Sequence, residues 1–183
     1  VARLFNSIKT PHIYAYLRTI YSCGLRLSEG LNIRVGDIDR EGGQLHVRHG
    51  KGGKDRKVVL PSLTLEILER YWKIHRNPVL LFPALGRDGK GGLTATKPMT
   101  VAAVQGAMCR YRKRAGITKS HVTIHSLRHA YATHLLEAGV PLTVLQRQLG
   151  HNDIKTTLRY VHLSKEAQVD SAAIIEGLMR AIK

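Results

Sequence analysis

Residues 123–160 read TIHSLRHAYATHLLEAGVPLTVLQRQLGHNDIKTTLRY, and the punctuation of this stretch decides the fold. Gly139 and Gly150 stand where helical runs end, and Pro141 stands where the next run begins. Glycine suits the residue just past a helix and proline its first turn, so the stretch is helical in pieces. One helix spans about 125–138, a second runs from Pro141 to Gly150, and a short third carries Tyr160. On the first, His125 and Arg128 are three residues apart and share a face, while Leu127, Ala130 and Leu135 lie largely elsewhere and can face a core.

Upstream, residues 12–22 place Ile13, Tyr16, Leu17 and Ile20 at helical spacing, the pattern of a buried helix. Gly24 then turns the chain into a second short helix, Leu25 to Glu29, with Ser28 as its expected cap. Residues 45–49 and 56–60 alternate apolar and polar through Leu45, Val47, Val58 and Leu60, and the glycines between them make a β-hairpin. Residues 33–38 are a candidate third strand, and Pro61 ends the sheet. Helical periodicity returns over 62–75. Residues 77–99 are irregular, with Leu80-Leu81-Phe82-Pro83 as an apolar anchor and Gly86 to Gly92 expected as a mobile loop. Thr100 caps a helix to about Ala115 that Gly116 stops and that ends in Arg110, Arg112, Lys113 and Arg114. Ser164 begins a last amphipathic helix with Ile174, Ile175, Leu178 and Met179 on one side. The expected fold class is mainly α with a small antiparallel β-sheet (α+β). The expected organisation is one domain over 1–163 and a C-terminal helix or tail over 164–183.

The bulk properties fit that scheme. A chain of 183 residues with 43% hydrophobic content is long enough to bury a core as one domain. No run of eighteen apolar residues exists, so no membrane partner is expected. The N-terminus has no signal-peptide pattern, and it lacks an initial Met, which reads as a fragment. Cys23 and Cys109 have no metal-ligand spacing and are too few for a disulfide framework, so the expected compartment is the cytoplasm. Charge is the informative number: 29 Lys and Arg against 13 acidic residues give +16. A surface so charged repels itself unless its partner is an anion, and nucleic acid is the first candidate, because each neutralised phosphate releases counterions.

Five short motifs stand in order: Gly24-Leu25-Arg26-Leu27-Ser28-Glu29, the hairpin Gly50-Lys51-Gly52, His125-Ser126-Leu127-Arg128-His129, Leu149-Gly150-His151, and Thr156-Thr157 followed by Tyr160. Each alone is weak. Together, in this order and with these gaps, they resemble the tyrosine recombinase family of phage integrases, Xer-type resolvases and integron integrases, over roughly residues 12 to 163. The resemblance implies the catalytic-domain fold of that family and a site-specific DNA recombinase that cuts and rejoins strands through a 3′-phosphotyrosine, without ATP, metal or other cofactor. It implies that Arg26 and Arg128 grip the scissile phosphate, that Lys51 is the hairpin lysine, and that His125 and His151 complete the site. Tyr160 is the implied nucleophile, and Glu29 the acidic residue supporting the first arginine.

The residue types suit such chemistry. Arginines placed at the phosphoryl oxygens stabilise the charge that builds there. Tyrosine, with an ordinary pKa of about 10, needs a base, and the leaving 5′-oxygen needs a proton. Against these roles stand plainer ones. Arg26 fits a surface or ion-paired residue next to Glu29, Lys54 competes with Lys51, and Tyr131 is a rival nucleophile better suited to core packing. His125 and His129 have the spacing of helical zinc ligands, but Arg128 between them opposes a cation; His129 is expected to be a buried hydrogen-bonding residue. Neither glycine-rich stretch carries the spacing of a nucleotide-hydrolysing P-loop.

Two departures from the family pattern carry expectations. Only 25 residues precede Arg26, where the family has a helical core-binding domain, so that domain is expected to be absent and the isolated chain to bind DNA weakly. Gly30 stands where the family more often has Leu or Ala, which puts local rigidity in doubt. The expected partner is double-stranded DNA at a specific recombination site. The family implies a homotetramer in the synaptic complex, a monomeric free fragment and a C-terminal helix docking in trans. The alternatives are a catalytically inactive DNA-binding relative and a type IB topoisomerase-like enzyme.

Overall fold

A computed structural model describes residues 1–48, 55–86, 89–161 and 179. Eight helices and a three-stranded antiparallel sheet make up the described residues, which is the mainly α fold with a small sheet that the periodicity predicts. The chain divides into two compact units, 1–131 and 132–183. The expected boundary at 163/164 and the expected last helix over 164–182 fall, Met179 aside, outside the described residues.

The first unit is built around α2 (Pro11–Cys23), with Pro11 in its first turn and Gly24 beyond its end. Its predicted apolar residues Ile13, Tyr16, Leu17 and Ile20 are at most 4% exposed. Against it pack α3 (Leu27–Leu31) and α4 (Ser62–His75). A further helix, α1 (Ala2–Ser7), buries Leu4 and Phe5 and packs on α5 (Val101–Arg114), where Ser7 Oγ donates to the Tyr111 carbonyl. No periodicity marks α1, because six residues hold under two helical turns. Thr100 caps α5 as expected, its hydroxyl accepting from the Ala103 N–H at 3.1 Å, and Gly116 takes a φ of +67° just past the end.

The sheet runs β1 (Ile38–Asp39), β2 (Gln44–Val47), β3 (Arg56–Val59) in spatial order. In this register Leu45 opposes Val58 and Val47 opposes Arg56. Alternate residues of a strand share a face, and Leu45, Val47 and Val58 all point into the core while Val59 stays exposed. The candidate third strand is smaller than expected. Residues 35–37 coil into a 3-10 turn, because Asp37 accepts from the Arg34 N–H and leaves only two residues to pair.

The glycine-rich stretch expected as a mobile loop is tied down at its far end. Asn77, 2% exposed, donates to the carbonyls of Gly92, Leu93 and Ala95 and accepts from the N–H groups of Val79 and Leu80. One buried amide thereby satisfies backbone groups on both sides of the anchor, where Leu81 and Phe82 are buried. Both cysteines are free, Cys23 buried and Cys109 exposed. Among the described residues no helix is long and apolar enough to cross a membrane.

Helix α6 (Ile124–Glu137) carries the division between the units. The second unit contains α7 (Leu142–Leu149) and α8 (Ile154–Val161), which pack on each other. Pro141 precedes α7, and Gly139 and Gly150, at φ of 80° and 62°, take the left-handed conformation their positions demand.

Candidate active site

Local backbone rules place the first arginine. Gly24 ends α2 with a φ of 60°, a conformation glycine adopts without a Cβ penalty, and the chain reverses into α3 with Arg26 just before its first turn. The cap of α3 is thus Arg26 and not the expected Ser28, which lies inside the helix. Glu29 takes the third helical position and reaches back, its Oε2 accepting from the Arg26 backbone N–H at 2.8 Å. Its Oε1 accepts from Arg26 Nη1 at 2.7 Å.

Two further guanidinium groups converge on the same carboxylate. Arg56, at the head of β3, donates from Nη1 to Oε1 and from Nη2 to Oε2, each at 2.8 Å. Arg128, from α6, stands 3.8 Å from Oε2 and donates from Nη1 to the Gly24 carbonyl at 2.6 Å. Arg128 is 1% exposed, so the glycine that stops α2 also supplies the acceptor that orients this buried cation. Arg26 and Glu29 are thus ion-paired, as their spacing allows, with the carboxylate side chain buried.

The electrostatics follow from this crowding. Burial pushes the Glu29 carboxyl up, but the Arg56 hydrogen bonds, the Arg26 N–H and the nearby cations outweigh it and hold the pKa at about 2. Three guanidinium groups around one carboxylate leave an excess of positive charge suited to an anion. His125 lies on the same unit, and burial, then Arg128 and Arg26, lower its pKa from 6.5. It is therefore mainly neutral at pH 7 and able to accept a proton. His129 meets His125 edge-on, with ring centroids 4.3 Å apart, and partial desolvation, then His125 and Arg128, lower its pKa. It is exposed, against the expectation that it is buried, because α6 turns its Leu127 and Arg128 side inward. Tyr131 packs in the core as expected, and burial first raises its phenol to about 12, which makes it a poorer nucleophile.

In the second unit, His151 follows the helix-stopping Gly150, and its N–H donates to the Gln146 carbonyl at 3.2 Å. Its Nδ1 lies 2.9 Å from the Thr157 hydroxyl. Thr157 and Tyr160, three apart on α8, are its two buried residues. The rings of His151 and Tyr160 are within 8° of parallel, with centroids 6.3 Å apart. The spacing from His151 to Tyr160 is thus one turn plus one short helix that returns the tyrosine to the histidine.

Lys51 lies outside the described residues. Arg56 was not singled out from the sequence, although a signal existed. It sits two residues before Val58, so alternation puts it on the buried face of the strand, where a charge needs a partner.

Comparison with known proteins places the chain in a family. Residues 1–167 match the phage integrase family. A candidate integrase/recombinase of Sinorhizobium fredii is 40% identical over 151 residues, which is 82% of this chain and 57% of that protein. Tyrosine recombinase XerA of Pyrococcus horikoshii is 37% identical over 168 residues, 89% of this chain and 55% of that protein. The crystal structure of the XerH site-specific recombinase bound to difH substrate, a pre-cleavage complex, is similar with a TM-score of 0.75 at 25% identity, covering 96% of this chain and 52% of that one. The chain thus spans little more than half the length of these relatives, between 52% and 57%.

Proposed function

The chain belongs to the phage integrase family, and from that premise we propose that it is the catalytic domain of a site-specific tyrosine recombinase acting on double-stranded DNA. The observation that carries the proposal is the arginine cluster: Arg26 and Arg128 held by one buried carboxylate, with a neutral His125 beside them. That is a built receptor for a phosphodiester, and the net charge of +16 supplies long-range attraction to DNA.

In this mechanism Arg26 and Arg128 hold the non-bridging oxygens of the scissile phosphate. Guanidinium groups fixed in advance stabilise the charge of the transition state without reorganising. His125 takes the phenolic proton of Tyr160, whose oxygen attacks phosphorus. The bond to the 5′-oxygen breaks, and Lys51 gives that oxygen its proton. His151 supports the phosphate with its ring. The product is a 3′-phosphotyrosine and a free 5′-hydroxyl. The energy of the broken bond is kept in the new one, so attack by another 5′-hydroxyl reseals a strand. Glu29 orients Arg26.

The wider expectations belong to the same proposal. Residues 1–163 form the catalytic domain, and 164–183 a tail that docks on a neighbouring protomer. The free chain is monomeric, and four protomers assemble at synapsis. The setting is the cytoplasm. Family membership and the likeness to a recombinase bound to its difH substrate support DNA as partner.

The test is covalent trapping. The chain is incubated with nicked suicide duplexes, and products are run on denaturing gels. A protein–DNA adduct that disappears in Tyr160→Phe supports the proposal. Binding to duplex with no adduct would favour a non-cutting DNA-binding relative. Relaxation of supercoiled plasmid regardless of sequence would favour a type IB topoisomerase-like activity.

A further inference from the structure

We propose that Arg56 is a positioning residue of the phosphate-binding site: its fork locks the plane of the Glu29 carboxylate and through it sets the attitude of Arg26. The inference rests on the recombinase reading above. Arg56 belongs neither to the motifs that mark the family here nor to the residues proposed to touch DNA.

The argument begins with a charge count. If Glu29 needed only neutralising, Arg26 at 2.7 Å and Arg128 at 3.8 Å already overcompensate it. A third guanidinium adds repulsion to a site already short of negative charge, and its own desolvation adds to that cost, since the Arg56 side chain is 11% exposed. Neutralisation alone therefore does not explain Arg56, and geometry supplies the further reason. Arg26 contacts the two carboxylate oxygens from one side, through a backbone N–H and one Nη. Arg56 spans both oxygens from β3 with two parallel bonds of equal length. A bidentate fork fixes the carboxylate plane in a way that a point charge does not. With that plane fixed, Oε1 holds Arg26 Nη1 in one direction and Oε2 faces Arg128.

The lock also joins elements distant in sequence. Arg56 is 27 residues beyond Glu29, and it opposes Val47 in the hairpin register. Lys51, the proposed proton donor, precedes Arg56 by five residues in the sequence. One side chain thus ties the strand that follows the proton donor to the N-terminus of α3, which carries the first phosphate ligand.

The groups facing Glu29 are Arg26, Arg56 and Arg128, with His125 coupled to Arg26 and Arg128. The experiment compares the wild-type chain with Arg56→Gln and Arg56→Lys. It measures the adduct-forming rate at saturating duplex, duplex affinity, thermal stability and the titration of the Glu29 carboxyl by carbon NMR. In Arg56→Gln the rate at saturation falls about 10²-fold, as a misplaced catalytic group entails, while duplex affinity holds, because Arg56 is not among the residues proposed to touch DNA. The Glu29 midpoint rises. Arg56→Lys restores the charge without the fork, so it returns the midpoint toward wild type but recovers only part of the rate. The proposal is overturned if Arg56→Lys matches wild type in rate, since charge alone then suffices. It is equally overturned if Arg56→Gln cleaves at the wild-type rate, or if rate is lost only in proportion to unfolding. Should Arg56→Gln fail to fold, Arg56→Lys carries the decision. A wild-type chain that forms no adduct would sink the recombinase reading instead. The Glu29 titration, which needs no turnover, would still test the contact on which the lock rests: an unmoved midpoint in Arg56→Gln refutes it.

Discussion

The surroundings of Arg26 and those of Tyr160 hold their side chains by different physics. Around Arg26 everything is charge: a buried carboxylate, charge-assisted hydrogen bonds of 2.7 and 2.8 Å, and a cation 1% exposed. Around Tyr160 the contacts seen include neutral ones: a near-parallel histidine ring and a threonine hydroxyl on that histidine, on a helix of eight residues. The contrast suits the proposed tasks. A group that binds a phosphate must be rigid before the anion arrives, because reorganising charge during the reaction costs rate. A nucleophile has a covalent bond to make and to break, and neutral contacts of modest strength permit its movement. Charge-assisted contacts are also the ones whose removal hurts most, because a buried ion left alone cannot be resolvated.

The largest expected effect therefore comes from Glu29→Gln. The amide keeps the shape and loses the charge, leaving the guanidinium groups of Arg26, Arg56 and Arg128 around a neutral group. Breaking such a cluster costs about 3–5 kcal/mol, read as a fall in unfolding free energy by denaturant titration. A loss below 1 kcal/mol would mean that water or another group compensates, and the contrast between the two regions would not hold. Acid probes the same carboxylate without mutation. Its pKa is held down from 4.5 to about 2, so the stability it contributes is fully present above 4.5 and is lost as pH falls toward 2. The shift corresponds to about 3 kcal/mol. His125 and His129, both lowered from 6.5, act in the same sense: their neutral forms suit the fold, and protonation below 6.5 weakens it. Unfolding free energy measured from pH 7 to pH 2 should fall in two steps, and in Glu29→Gln the lower step should vanish.

Gly30 shows where a sequence misleads. Read from propensity alone, a glycine inside α3 loosens the helix. Its actual reason is tertiary: a Cβ there would come 2.5 Å from Cδ1 of Ile20 and 3.1 Å from the ring of Tyr16, both fully buried on α2. The glycine lets α3 press on α2 and so fixes the turn that carries Arg26. Gly30→Leu should destabilise by about 1–3 kcal/mol through overpacking, as measured by denaturant titration. A neutral or stabilising result would restore the propensity reading. What was legible shares one property. Helix periods, caps and stops such as Thr100, Gly24, Pro141 and Gly150 are local, and each proved right because the backbone at these positions answers to its own residue. Alternation likewise put Leu45, Val47 and Val58 inside. What was missed depends on side-chain partners: the pairing of Arg56 with Glu29 across 27 residues, the cap of α3 at Arg26 with Glu29 reaching back to it, and the many-handed Asn77. A polar residue reveals its partner only when the fold has closed.

The smallest expected effect lies on the neutral side. Thr157→Val removes the hydroxyl 2.9 Å from His151 Nδ1 and keeps nearly the same volume at a position with no exposure. The histidine ring, exposed in part, can hydrogen-bond to water instead, so the net cost is that of an ordinary neutral bond, about 1 kcal/mol. For a chain of this size that is a fall of roughly 2–4 °C in Tm. The variant should instead alter the ring: with its Nδ1 partner gone, His151 samples both tautomers and turns out of parallel with Tyr160. Nitrogen NMR of the imidazole reads the tautomer directly, and a wild-type chain fixed in one form against a variant that mixes two is the expected outcome. If the variant loses as much stability as Glu29→Gln, the surroundings of Tyr160 are as rigid as the arginine cluster, and the division of labour drawn between a preset clamp and a movable nucleophile fails.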